Sequence, residues 1–254
     1  MLKHKNIIAF CLLCLVLLFI VDAGWYFFFL LAVFFLAMTS WGSFDIRLGY
    51  FLKTYNNKPD EKKRKIALSF DDGPHEMTEK VLDLLKKFNA KATFFCIGMQ
   101  VEKYPEILKR IIAEGHVVGN HTYSHSKSVG FFSTSRMLEE IEKNDLLLSA
   151  ETGSTIKLFR PPFGVTNPNI ARAVSKTGHY VIGWNIRSLD TLISDEGTIF
   201  KRVKKKIQPG GIILLHDTSL KTVAVLERLL LFLQSENYEM ITIDALLNLP
   251  AYEN

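Results

Sequence analysis

The sequence predicts an α/β fold: a parallel sheet curled into a barrel, standing behind an apolar helical hairpin. Short apolar runs alternate with helical periods from Ile66 onward, which is the pattern of strand–helix units feeding a parallel sheet. About seven such units, each with a short apolar strand, suit a closed barrel better than an open sheet. Ahead of them, residues 7–38 (IIAFCLLCLVLLFIVDAGWYFFFLLAVFFLAM) are interrupted only by Asp22 and Gly24, a run that no soluble core needs.

That first element is read as membrane-embedded. A cleaved signal peptide would carry about 7–15 apolar residues and then a polar mature start, whereas here a second apolar block follows. A tilted single span would bury Asp22. A hairpin turning at Val21-Asp22-Ala23-Gly24 gives Asp22 and Gly24 work as turn residues and is preferred. It also sets Trp25 and Tyr26 at one interface and Trp41 near the other. Its arms hold roughly 15 apolar residues each, short of the ~20 that a full span needs. Lys3 and Lys5 precede the run, and Arg47, Lys53, Lys58 and Lys62-Lys63-Arg64-Lys65 follow it. Basic flanks on both sides suit a hairpin with both ends in the cytoplasm.

The chain of 254 residues is 48% hydrophobic with a formal charge of +5. The positive balance sits in the juxtamembrane segment and points to anionic lipid. No stripe of basic residues interleaved with aromatics supports a nucleic-acid partner. Cys11 and Cys14 have C-x-x-C spacing but lie inside the apolar run, so they read as apolar filler. Cys96 falls in a strand, and no disulfide framework follows.

Residues 44–65 turn polar and Lys-rich, as a basic linker or a leading segment of the domain. The division is therefore a membrane anchor over 1–43, the linker over 44–65, and a catalytic domain over 66–254. Strands are expected at 66–70, 92–97, 116–119, 157–159, 180–186, 211–215 and 239–243. Helical spacing runs through 77–88, 104–114, 134–150, 168–177, 198–207 and 221–235.

Barrel chemistry gathers on the loops after the strand C-terminal ends. Those positions hold Asp71-Asp72, Asn120-His121-Thr122-Tyr123-Ser124-His125, Arg160-Pro161-Pro162-Phe163, Arg187-Ser188-Leu189-Asp190 and His216-Asp217. Every one brings an ionisable residue to a shared mouth. His121 and His125, four apart, can meet one ion if the segment is helical or tightly turned. Two imidazoles and a carboxylate make a sound catalytic zinc set with an open position. Successive strand residues point oppositely, so of Asp71 and Asp72 one is expected as ligand and the other as base beside the ion. The two prolines after Arg160 fix where its guanidinium points, with Asp71 or Asp190 as the expected partner. His216 suits a general acid, because imidazole titrates near neutral pH. His116 and His179 precede strands, at the wrong end of the barrel, and read as structural; His75 lies near the site without a role.

Ser69-Phe70-Asp71-Asp72-Gly73, His121-Thr122-Tyr123-Ser124-His125, Arg160-Pro161-Pro162-Phe163 and Leu214-Leu215-His216 together resemble the ordered motifs of the polysaccharide deacetylases, the carbohydrate esterases with a NodB-homology domain. The resemblance covers about residues 64–245. It implies a distorted (β/α)7 barrel, a divalent metal (usually zinc), and removal of N-acetyl or O-acetyl groups from a glycan. By motif, Asp71 is similar to the catalytic base, Asp72, His121 and His125 to the metal ligands, and Arg160 to the residue orienting the base. His216 is similar to the general acid, and Leu214 to a wall of the acetyl pocket, with Phe163 and Trp184 beside it. One motif departs: Trp184-Asn185-Ile186-Arg187-Ser188-Leu189-Asp190-Thr191 keeps Asp190, which would pair with Arg160. It loses the final Trp of the family's pattern and puts Arg187 where an acid is usual. An added cation at the mouth suits a phosphorylated or lipid-linked sugar.

The expected partners are therefore an acetylated glycan and the bilayer, and the expected place is the cytoplasmic membrane. The rivals are a deacetylase or deformylase of a lipid-linked amino sugar, an iron oxygenase using two His and a carboxylate, and a non-catalytic glycan binder. The oxygenase has no use for a neighbouring base and a distal acid, and the binder would have lost ligands that are all present. The basic flanks favour the inner face of the membrane; the family's envelope polymers favour the outer.

Overall fold

The computed structural model describes residues 3–253. Two apolar helices come first, α1 (His4–Ile20) and α2 (Trp25–Phe44), joined through Val21–Gly24. Asp22 takes a left-handed φ of 48°, which Asp tolerates, so the chain reverses where the sequence expected it. Phe10 meets Phe34 and Phe19 meets Phe28 between the arms. The outward side chains stay exposed: Phe19 is 69%, Ile20 73% and Trp25 78% accessible. Among the described residues only α2 has the length and composition to cross a bilayer; α1 is shorter.

The base of this hairpin is fastened to the rest of the chain. The Lys3 ammonium donates to the Gly49 carbonyl (2.7 Å), and His4 N–H donates to Tyr50 O (3.0 Å). Thr166 N–H donates to Ser43 O at the end of α2 (3.0 Å). Gly42 leaves room for the Tyr50 ring, which a Cβ would strike. Residues 44–65, expected as a basic linker or a leading segment, make contacts with the sheet. Ile46 and Tyr50 are buried, and β1 (Thr54–Tyr55) pairs with a strand more than a hundred residues later.

The alternation then runs β2 (Lys65–Asp71), α3 (Glu76–Lys87), β3 (Ala92–Cys96), α4 (Gly98–Lys103), α5 (Pro105–Ala113), β4 (Val117–Asn120) and α6 (Thr134–Thr152). A short β5 (Thr155–Ile156) leads into β6 (Leu158–Phe159), α7 (Pro168–Thr177), β7 (Tyr180–Ile182), β8 (Ile186–Arg187) and α8 (Glu196–Lys204). The last elements are β9 (Ile212–His216), α9 (Leu220–Ser235), β10 (Glu239–Ile241), α10 (Ile243–Leu247) and β11 (Tyr252–Glu253), which clasps β5 antiparallel.

The main sheet has nine strands in the order β1-β7-β6-β4-β3-β2-β9-β8, with β10 also on β2, and every pair in it is parallel. Its apolar residues alternate between two cores, as a pleated strand dictates. Phe94 packs outward with Leu68, Leu85 and Leu226, while Phe95 packs inward with Ala67, Phe159 and Leu214. The expected closure is not met: β1 and β8 end the path and no ladder joins them among the described residues. The reason lies at 183–185. One continuous strand over 180–186 was expected, but it breaks into β7 and β8. Ile182 O and Gly183 O there accept from the Arg160 guanidinium at 3.2 and 3.0 Å instead of from a neighbouring strand. The fold is a half-barrel. It still brings the strand ends level, with Asp71 in register with Phe95 and His216, and Asn120 with Cys96 and Phe159.

Candidate metal centre and active site

The sheet delivers Asp71, Asn120, Phe159, Arg187 and His216 as last strand residues, and the ionisable groups gather just beyond them. Asp71 ends β2; Asp72 follows with a left-handed φ of 74°, an uncommon backbone state for a residue with a Cβ. That turn lets both carboxylates face the mouth. Asp71 Oδ2 lies 3.8 Å and Asp72 Oδ1 3.6 Å from His121 Nε2. The next residue, Gly73, has no room for a side chain, because a Cβ would collide with the buried Asp217 carboxylate.

His121 and His125 sit on a loop, not a helix, with Thr122 and His125 both at positive φ. The loop is held from α6. Glu140 accepts from Ser124 N–H (2.7 Å) and Ser124 Oγ, and the Asn144 amide donates to Cys96 O (2.8 Å) and Thr122 O (3.0 Å). The imidazoles come to 4.9 Å between ring centres. His121 Nδ1 lies 2.7 Å from Arg160 O. A carbonyl only accepts, so Nδ1 carries a proton, and Nε2 is the atom turned toward the carboxylates.

Asp72, His121 and His125 each offer one ligand atom, all within 4.8 Å of one another. Asp72 Oδ1 stands 3.6 Å from His121 Nε2 and 3.4 Å from His125 Nε2. Ligand atoms about 2.1 Å from a tetrahedral ion lie about 3.4 Å apart, so this donor set fits zinc or a similar divalent cation. Burial pushes the Asp72 carboxyl up, but the hydrogen bond and charge of His121, with His125 and His216, hold it well below the usual range. Burial first, and then the neighbouring His121, lower His125 to about 4. At neutral pH the carboxylate is charged and His125 is neutral, the states that bind metal.

Two pairs flank this centre. Arg160, fully buried, donates to Asp71 Oδ1 (2.6 Å) and Ser69 Oγ (2.9 Å) and lies over the Phe95 ring at 4.0 Å. Asp71 is thus the partner of Arg160. Asp190, expected there by resemblance, goes elsewhere: its Oδ1 is 2.8 Å from His216 Nδ1, and its Oδ2 accepts His216 N–H (2.8 Å). Ser188 Oγ and Thr222 Oγ1 donate to the same carboxylate at 2.7 and 2.9 Å. Asp190 is itself buried, on the loop after β8, the strand that pairs with β9 and lies at the far end of the sheet path from β6, which precedes Arg160. Burial lowers the His216 pKa, but the hydrogen bond and charge of Asp190 outweigh it and raise the ring to about 9.

Asp71, Asp72, His121, His125 and His216 share a cavity of about 220 Å3 with Phe163, Gly164, Trp184, Arg187, Thr191 and Leu214. Phe163 reaches the His125 ring (4.8 Å) from a φ of 59°, and Gly164 passes under Trp184, where a Cβ would sit 2.6 Å from the indole. Of the candidate site residues, Arg160 and Asp190 do not line the cavity but stand behind Asp71 and His216; the expected ligands, base, acid and pocket walls line it. His75 caps α3, accepting from Met77 N–H, and His116 and His179 lie away from the cavity. Ser188, Thr222, Glu140 and Asn144 were missed. Each acts through another residue, and nothing in their spacing marks them except Ser188, two residues before Asp190.

The model of the family described as polysaccharide deacetylase matches residues 58–182. A peptidoglycan-N-acetylglucosamine deacetylase, PgdA, of Listeria monocytogenes is 37% identical over 184 residues, covering 72% of this chain and 39% of that protein. The chain therefore spans well under half the length of that relative. A peptidoglycan-N-acetylglucosamine deacetylase of Bacillus cereus is 34% identical over 192 residues, covering 72% of this chain and 87% of that one. The crystal structure of the Bc1960 peptidoglycan N-acetylglucosamine deacetylase superposes with a TM-score of 0.74 at 32% identity, over 79% of this chain and 95% of that one.

Proposed function

The chain belongs to the polysaccharide deacetylase family, and from that premise we propose that it hydrolyses the acetamide of an N-acetylated amino sugar in a glycan, releasing acetate. One observation carries the proposal: a two-imidazole, one-carboxylate set shares a single cavity with an Arg160-backed carboxylate and an Asp190-backed imidazole. The names of the relatives favour a cell-wall glycan as the polymer.

Asp72, His121 and His125 would hold the ion, zinc by its ligand set. Bound there, it supplies positive charge to the amide oxygen and acidifies a water to near neutral pH. Asp71, fixed by Arg160, takes the proton of the attacking water. Losing Arg160 would strand a buried carboxylate, which is strongly destabilising. His216 gives its proton to the leaving amine, and Asp190 keeps that ring charged and oriented. Leu214, Phe163 and Trp184 would wall the acetyl group, and Arg187 stands at the rim. We also propose that residues 1–43 anchor the domain of residues 66–254 to the cytoplasmic membrane, because the hairpin's outer face is a continuous apolar surface.

Acetate release from N-acetylglucosamine oligomers by the zinc-loaded chain tests the reading. Asp71→Asn is expected to keep its metal and to lose about 10²–10⁴-fold in kcat, the usual share of a general base. Near-normal turnover in that variant would remove Asp71 from its role.

A further inference from the structure

Beside the catalytic cavity lies a second one of about 430 Å3, at the C-terminal end of α2. Arg47, Arg187, Arg202 and Lys206 line it against a single carboxylate, Asp45. Asp45 is already committed to Arg47, whose Nε and Nη2 donate to its two oxygens at 2.7 and 2.6 Å. Among the described residues Arg187, Arg202 and Lys206 have no ion-pair partner. Arg202 Nε donates to Arg187 O (3.1 Å), and Arg187 lies 5.7 Å from the Trp184 ring centre. Such a concentration of unneutralised cations is a site for a multiply charged anion.

Its neighbours narrow the anion. Arg187 and Trp184 line both this cavity and the catalytic one. A third cavity, about 740 Å3, continues from Phe163 and Arg187 along the last turns of α2, past Phe44 and the 92% exposed Phe131. All three spaces meet at Arg187: Trp184 also joins the catalytic and cation cavities, Phe44 the cation cavity and the groove at α2, and Phe163 the catalytic cavity and that groove. We infer that the substrate of the proposed deacetylase is an acetylated amino sugar joined through phosphate or diphosphate to a long-chain lipid. In such a molecule the acetamido carbon neighbours the anomeric carbon, so an anomeric phosphate lies next to the amide being cleaved. Arg187 is placed to meet that phosphate while the acetyl group enters the metal pocket. Arg202 and Lys206 take the remaining charge, and the first part of the chain lies along Phe44 and Phe131 toward the bilayer. The inference rests on the deacetylase reading for the chemistry and on the cation cavity for the substrate.

The test uses the zinc-loaded full chain in phosphatidylcholine nanodiscs. Deacetylation is measured on polyprenyl diphosphate N-acetylglucosamine, on UDP-N-acetylglucosamine and on the N-acetylglucosamine tetramer. The lipid-linked probe is expected to lead in kcat/KM by about tenfold or more, and a chain with both Arg202→Gln and Lys206→Gln to lose about tenfold of that lead, through KM. Equal kcat/KM for the lipid-linked probe and the tetramer overturns the inference. So does parity with the UDP sugar, which would mean a soluble nucleotide-sugar substrate. A double variant that changes only the response to phosphatidylglycerol added to a second set of discs overturns it too, by assigning the cations to bilayer headgroups. Binding of the lipid-linked probe, followed without turnover in the Asp71→Asn chain, separates the two readings. Binding that is lost in the double variant upholds the site even if no acetate is ever released, an outcome that counts against the deacetylase alone. Absence of binding overturns the site.

Discussion

His216 and Asp190 show how a carboxylate one hydrogen bond away changes what an imidazole can do. Burial in the cavity would favour the neutral ring, yet the Asp190 carboxylate wins and raises the pKa to about 9. The ring is therefore protonated at neutral pH and loses its proton as pH rises through the raised value. A divalent cation in the neighbouring site adds positive charge and moves that value down from its metal-free position. Asp190→Asn removes the anion and moves it further in the same direction. The alkaline limb of kcat/KM should shift to lower pH by about a unit or more, with the acid limb in place. A pH–rate profile checks this; an unmoved alkaline limb in D190N would take the general-acid role away from His216. Arg160 answers to the same logic from the other side. Its guanidinium makes four hydrogen bonds, to Asp71, Ser69 and two strand carbonyls, so one side chain fixes Asp71 and occupies carbonyls at the break in the sheet.

At the scale of elements, much was legible because apolar runs and turn chemistry are local. The strands ending in Asp71, Cys96 and His216 fall within a residue or so of the expected ones, and the helix over 168–177 has its predicted bounds. What was missed is non-local. The break at 183–185 depends on Arg160 arriving from another strand, and β1 depends on β7. α4 is six residues beginning with Gly98, too short to declare a period. His121 and His125 were readable as a pair, but their loop geometry comes from Glu140 and Asn144 on α6. Arg160 had two candidate carboxylates in sequence, and only the packing over Phe95 decides for Asp71.

The turn before β4 carries a separate consequence. His116 is buried and accepts Ala92 N–H at Nδ1 (3.2 Å). Burial, then the Lys91 charge, lower its pKa to about 4. The folded value lies below the unfolded one near 6.5, so the stability tied to the neutral ring is complete above about pH 6.5. It drains away as pH falls to about 4, by up to about 3 kcal/mol. Thermal melts across that window should fall less steeply for His116→Asn than for the unaltered chain. Parallel curves would mean that the ring titrates freely in the fold.

The whole molecule joins two unlike surfaces, one apolar and one polar. An apolar hairpin is fastened by Lys3, His4 and Ser43 to a half-barrel whose mouth opens beside the end of α2. The curl of the sheet brings the loops after β2 and β4 close enough for Asp72 to face both imidazoles, with the loops after β6, β8 and β9 closing round them. All of the chemistry argued here depends on one ion being held at that meeting point. Diffraction from crystals of the zinc-loaded chain, recorded at the zinc absorption edge, tests it most directly. The account predicts one strong anomalous peak per chain, about 2.0–2.2 Å from Asp72 Oδ1, His121 Nε2 and His125 Nε2. No peak between those three side chains, or a peak held by other residues, would contradict it.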